Sequence, residues 1–124
     1  PYLFDPEDLT SELVRDIYAG FIREGIFENV SDEVPYESDV IIESIEEEKN
    51  VDIINAMIII EKESQKGIII GKGGESIKRI GKAAREKIER LSTKKAYLNL
   101  QVVVKKGWTK DVNFLKEIGY DNAK

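Results

Sequence analysis

At 124 residues the chain fits a single domain of ordinary size, long enough to bury roughly two thirds of its unfolded surface without staples. With 41% hydrophobic and 35% charged residues it is too apolar and too varied for disorder, and its apolar runs are too short to cross a bilayer, so a soluble globular domain is expected. It has no cysteine and no histidine, which excludes disulfides, thiol nucleophiles, zinc sites of the usual ligand types and imidazole acid-base chemistry. An enzyme built on this chain would have to work with carboxylates, lysines or a bound cofactor. The chain starts at Pro1 without a basic-plus-apolar leader, so it is expected to be an excised piece of an intracellular protein.

The first helix signal runs from about Glu7 to Phe27, after an extended lead-in over Pro1 to Pro6, with Leu9, Leu13, Ile17, Phe21 and Ile22 recurring at helical spacing as a core stripe. Asn29 to Pro35 breaks the period. Val40, Ile42 and Ser44 then alternate with Ile41, Glu43 and Ile45 as a strand. A short acidic turn, Glu46 to Asn50, leads into the isoleucine-rich run Val51 to Glu61, so the two runs are expected to form an antiparallel hairpin.

Ser64 can cap a short helix, yet the β-branched Ile68, Ile69 and Ile70 read as strand by propensity alone. From Gly74 the period becomes 3.6. Ile77, Ile80, Ala84, Ile88 and Leu91 form one apolar stripe of an amphipathic helix, and Lys78, Lys82 and Arg85 line another side. Ser92 to Lys95 is a polar loop, Ala96 to Lys105 alternates as a third strand, and Thr109 is positioned to cap a last helix carrying Val112, Leu115 and Ile118 and ending at Gly119. The fold class expected is α+β, in the order α-β-β-α-α-β-α, with a three-stranded mixed sheet covered by helices on one face. The third strand, reached through a helical crossover, can pair in parallel with the second.

The formal charge of -5 conceals a division. Residues 1–61 carry three basic and 17 acidic side chains, a balance of -14, whereas residues 62–106 carry 13 and four, a balance of +9. A cationic block within an acidic chain suggests a basic face for a polyanion and an acidic face turned elsewhere.

The segment Gly71-Lys72-Gly73-Gly74, placed before the amphipathic helix, would let a backbone approach a bulky anion while amides and the helix dipole face it. A nucleotide-binding P-loop is excluded, because Lys66 stands where its first glycine belongs and Gly73 where its metal-binding hydroxyl belongs. A dinucleotide fingerprint is excluded because Ser76 replaces its last glycine. A purely structural interhelical turn would explain the glycines but not Lys72.

The stretch from Ile69 to Ile77, two aliphatics followed by Gly-x-x-Gly and an aliphatic three residues on, resembles the signature of a KH domain, and the element order resembles the type II KH fold. The longer motif Ser64 to Gly74 is similar to that of the C-terminal domain of the Era family of ribosome-associated GTPases. So are Pro6-Glu7-Asp8-Leu9, Ile22-Arg23-Glu24, Glu33-Val34-Pro35-Tyr36, Tyr97-Leu98 with Leu100, Trp108 and Gly119-Tyr120. Two departures are Gly25, where the family usually carries a lysine, and a more acidic amino-terminal half.

The resemblance implies a lead-in over 1–6 that ends an interdomain linker, a type II KH domain over 7–120, and a tail over 121–124. It implies an RNA-binding function at the 3′ end of small-subunit ribosomal RNA during small-subunit biogenesis, with no catalysis by this chain. Gly71, Lys72, Gly73 and Gly74 would grip the RNA backbone. Lys78, Arg79, Lys82, Lys94 and Lys95 would add charge, with Ser76 beside the loop. Ile68, Ile70 and Ile77, together with Ile69 and Ile80, would line the groove for the bases. Gly81 would permit close packing against a strand or the RNA; Tyr97, Trp108 and Tyr120 would belong to the core or the rim sooner than to a stacking site. GTP and Mg would belong to an N-terminal GTPase domain of the full-length protein. The remaining implied partners are the small ribosomal subunit and, peripherally, the inner face of the cell membrane; the location implied is the cytoplasm, and DNA is not expected. Two alternatives stay open: a protein-docking module whose acidic face contacts the GTPase domain, and a KH domain of another ribosomal or transcription-associated protein.

Overall fold

The computed structural model describes residues 11–31 and 33–117. Four α-helices, Ser11–Asn29 (α1), Glu63–Ile70 (α2), Glu75–Ser92 (α3) and Val112–Glu117 (α4), accompany three strands, Asp39–Glu47 (β1), Val51–Ile60 (β2) and Lys95–Val104 (β3). The sheet order is β1-β2-β3, with β1 antiparallel and β3 parallel to β2. The expected α+β class and order are therefore present.

Alternation along the strands sets the core. Val40, Ile42, Ile54, Ala56, Ile58, Ile60 and Ala96 face the helices and are buried, where they meet Tyr18, Ala19, Ile22 and Ile26 of α1, Ile69 of α2 and Ile80, Ala84 and Ile88 of α3. Each isoleucine withdrawn from water in this way contributes about 1.5–3 kcal/mol. A register shift between Ile42 and Ser44 bends β1, and Arg15 donates to the carbonyls of Ile42 (2.9 Å) and Glu43 (3.3 Å) there.

Of the helix stripe expected in α1, Ile22 is buried and Ile17 and Phe21 pack half-buried against the core, but Leu13 does not join them. Leu13 is 43% exposed, and the buried positions are Tyr18, Ala19, Ile22 and Ile26; Leu9 lies outside the described residues. Gly25 is among the buried residues of α1. A Cβ on it would lie 3.2 Å from both Cγ2 and the carbonyl oxygen of Ile80, so a glycine there lets α1 and α3 cross closely.

The isoleucine triplet 68–70 is helical, although its propensity favours a strand. Its cap is not Ser64. The side-chain oxygen of Gln65 accepts from the backbone N–H groups of Glu61 and Lys62, at 3.0 Å each, and its amide donates to Glu37 at 2.7 Å. Gln65 is fully buried, so every one of these bonds counts. Thr109 likewise lies in a 3-10 turn, Trp108–Lys110. The last helix is capped by Asp111, whose carboxylate accepts from the N–H of Phe114 at 3.0 Å. Ile118, Gly119 and Tyr120 lie outside the described residues.

Candidate nucleic-acid interface

The turn between α2 and α3 is built from glycines in conformations that side chains resist. Gly71 (φ 77, ψ 172), Gly73 (φ 62, ψ 18) and Gly74 (φ 79, ψ 15) all have positive φ. A Cβ on Gly71 would fall 2.8 Å from the Cβ of Ser76, whereas one on Gly73 would meet none of the described residues within 4 Å. The turn is therefore seated on α3 at one end and open at its tip, where Lys72 and Gly73 are exposed.

A groove of about 450 Å³ runs between α3 and β3, lined by Ile77, Lys78, Gly81, Lys82 and Arg85 on the helix and Tyr97, Leu98 and Leu100 on the strand. Positions 78, 82 and 85 share one helix face, so a cationic rail opposes an apolar wall. A methyl group at Gly81 would make ordinary van der Waals contact with Leu100 Cδ1 at 3.6 Å and so occupy part of the groove. Strand β3 pairs only with β2, so among the described residues its outer edge borders the groove without a neighbouring strand.

A carboxylate closes the far end. Glu89 accepts from the N–H of Ala96 at 2.9 Å and pairs with Arg85 at 3.3 Å. The Ala96 N–H, with help from Arg85, holds the Glu89 carboxyl below its ordinary range against the opposing effect of desolvation. Glu89 thereby ties the end of α3 to the start of β3 and steers Arg85.

The expected site residues separate on this frame. Gly71 to Gly74 form the turn, and Ile77, Lys78 and Lys82 reach the groove. Ile68 is 47% exposed and Ile70 half-buried beside the turn. Ile69 and Ile80 are wholly buried and belong to the core, because the helical period turns them inward. Ser76 is also buried, forming the seat under Gly71, and among the described residues its hydroxyl has no hydrogen-bond partner. Arg79 points away from the groove, donating to Asn29 at 3.2 Å and pairing with Glu75 at 3.6 Å.

Lys94 is held by the buried Asp52 at 2.6 Å and by the carbonyl of Glu48 at 3.0 Å. It lies with Lys95 beyond the far end of α3, about 27 Å from the glycine turn at 1.5 Å per residue. Trp108 is buried, whereas Tyr97 is 61% exposed. Arg85, Leu98 and Leu100 were absent from the expected site. The i, i+4, i+7 spacing of Lys78, Lys82 and Arg85 was the available signal for Arg85.

The family model described as KH domain matches residues 33–109, a stretch that holds the glycine turn and both walls of the groove. The chain belongs to the KH-domain family. The GTPase Era of Helicobacter pylori strain HPAG1 is 48% identical over 123 residues, covering 99% of this chain and 41% of that protein. That of Campylobacter lari is 52% identical over 121 residues, covering 98% of this chain and 42% of the relative. Two solved structures have the same fold. An Aquifex aeolicus Era variant bound to GDP.AlF4- superposes with a TM-score of 0.80 at 35% identity, covering 95% of this chain and 40% of the other. Era in complex with MgGDPNP and nucleotides 1506-1542 of 16S ribosomal RNA gives 0.81 at 33% identity, covering 97% and 41%.

The kinship expected from the Ser64–Gly74 motif, with the C-terminal type II KH domain of Era, thus extends along nearly the whole chain. The chain spans about 41% of the length of the H. pylori relative, and what it matches is the RNA-binding, non-catalytic KH domain. Its Gly-Lys segment follows a helix rather than a strand, which is the wrong context for a P-loop. The nucleotide and magnesium sites of a GTPase are therefore not features of this KH domain.

Proposed function

We propose that this KH domain binds single-stranded RNA along the α3–β3 groove and that its target is the 3′ end region of small-subunit ribosomal RNA. The observation that carries the reading is the groove itself: an open glycine turn bearing Lys72 leads into a channel with Lys78, Lys82 and Arg85 on one wall and Leu98 and Leu100 on the other. Phosphates follow the turn and the cationic rail, and unstacked bases enter the apolar channel, which a stacked duplex cannot do. The 16S RNA held by a solved Era relative supports the choice of target.

On this reading the domain is the RNA-reading half of an Era-type GTPase in the cytoplasm, serving assembly of the small ribosomal subunit beside an N-terminal GTPase domain that carries GTP and Mg. The domain limits at 7–120 and the roles of Lys72, Gly73, Lys78 and Lys82 form part of the proposal. Membrane contact does not. Competition between a single strand and the same sequence annealed to its complement tests the reading: the single strand should win, and equal binding would refute the groove as the site.

A further inference from the structure

We infer that single-stranded RNA leaving the groove continues over the β3 edge onto the open face of the sheet, along a row formed by Lys95, Tyr97 and Asn99. This rests on the groove reading above. Strand alternation puts these residues on the face away from the helices, and all three are exposed. Tyr97, 61% exposed, also lines the groove, so the row and the groove share a residue.

The row has the chemistry of a base-reading surface. An exposed ring on a sheet face offers a stacking platform, as it does in other sheet-based RNA readers. Asn99 is oriented beforehand: its amide donates to Asn55 at 2.9 Å, and Asn55 donates to Ser44 at 2.9 Å, a polar ladder across all three strands. With its nitrogen held inward, Asn99 keeps its oxygen as an acceptor for a base edge. Lys95 supplies charge for a phosphate. At the other end of the same face, Phe114 joins Ile41, Met57, Gln101 and Val103 around a separate hollow, which confines the row to the amino-terminal half of β3.

A groove of this type grips about four nucleotides, so RNA length separates the two surfaces. Unstructured RNAs of about four and about ten nucleotides of mixed adenine, cytosine and uracil should be titrated against the wild-type domain, Tyr97→Ala, Tyr97→Phe, Asn99→Ala and the double variant Lys72→Asp/Gly73→Asp. Tyr97→Ala, at the residue that the row shares with the groove, should weaken the longer RNA about tenfold more than the shorter, the loss of one stacked base. Asn99→Ala, outside the groove lining, should weaken the longer RNA and leave the shorter unchanged, and Tyr97→Phe should bind as wild type. Equal binding of the longer RNA by Tyr97→Ala and wild type overturns the row, as does an equal loss for both lengths. Undiminished binding of the shorter RNA by the double variant overturns the groove reading instead.

Discussion

Gly71 rests directly on Ser76, so closely that a Cβ on the glycine would lie 2.8 Å from the serine Cβ and 2.9 Å from its backbone nitrogen. With φ 77 and ψ 172 the position belongs to a backbone region that is essentially glycine's alone. Gly73, two residues on, has φ 62 and none of the described residues within 4 Å of its would-be Cβ. Two glycines of one motif thus answer different demands, seating the turn in one case and leaving space outside it in the other. Gly71→Ala should cost about 1–3 kcal/mol of stability and Gly73→Ala about 1–2 kcal/mol, as read by urea unfolding. RNA affinity per folded molecule should fall more for Gly73→Ala if the backbone of the guest passes over it.

Gln65 is the internal brace of α2. Its replacement by alanine leaves two backbone N–H groups and the Glu37 carboxylate without their partner, so a loss of about 2–4 kcal/mol is expected. Denaturant unfolding with an unchanged m-value checks it, and a loss below 1 kcal/mol would show that water replaces these bonds.

Much of this architecture is legible in the sequence because the hydrophobic periods of α3 and of the strands agree with their burial. The α1 stripe is legible in part: Ile17, Phe21 and Ile22 pack on the core as expected, but Leu13 is as apolar and exposed while Tyr18, Ala19 and Ile26 are buried, a choice that packing against α3 and β1 decides. Ile68 to Ile70 defy their propensity because burial of Ile69 and the Gln65 brace outweigh the cost of β-branching in so short a helix. The turn glycines and the cations on α3 stand out in one dimension. The strand wall does not, since Leu98 and Leu100 have the alternation of ordinary core residues. Nor does the fate of Lys94, whose partner Asp52 is 42 residues away.

Lys94 therefore bears on stability more than on RNA. Removing it leaves the Asp52 carboxylate, only 8% exposed, without its cation. Lys94→Ala should lower stability by about 1–3 kcal/mol with little change in RNA affinity, whereas Lys82→Ala should do the reverse. Paired melts and titrations of the two variants check this crossing.

Glu89 predicts an acid limb. Its carboxyl titrates below the ordinary value in the folded state, chiefly through the Ala96 N–H, so the charged form is favoured by folding. That stabilisation is present above the unfolded value of about 4.3 and is lost as pH falls from there through the lowered folded value. Glu89→Gln should flatten the fall in stability across that acid window, measured as Tm against pH. A variant with the wild-type slope would contradict it.

The most direct test of the RNA site is titration of single-stranded RNA against Lys72→Asp/Gly73→Asp beside its thermal melt. Both positions are exposed, and aspartate tolerates the left-handed conformation of residue 73 better than most side chains, so folding should survive. The wild-type domain should bind with a log-log salt slope of roughly -2 to -3, at about 0.7 per phosphate neutralised. The variant should melt cooperatively and bind no RNA at concentrations that saturate the wild type. Wild-type affinity in the folded variant would contradict the account, reducing the Gly-Lys-Gly-Gly turn to a joint between two helices.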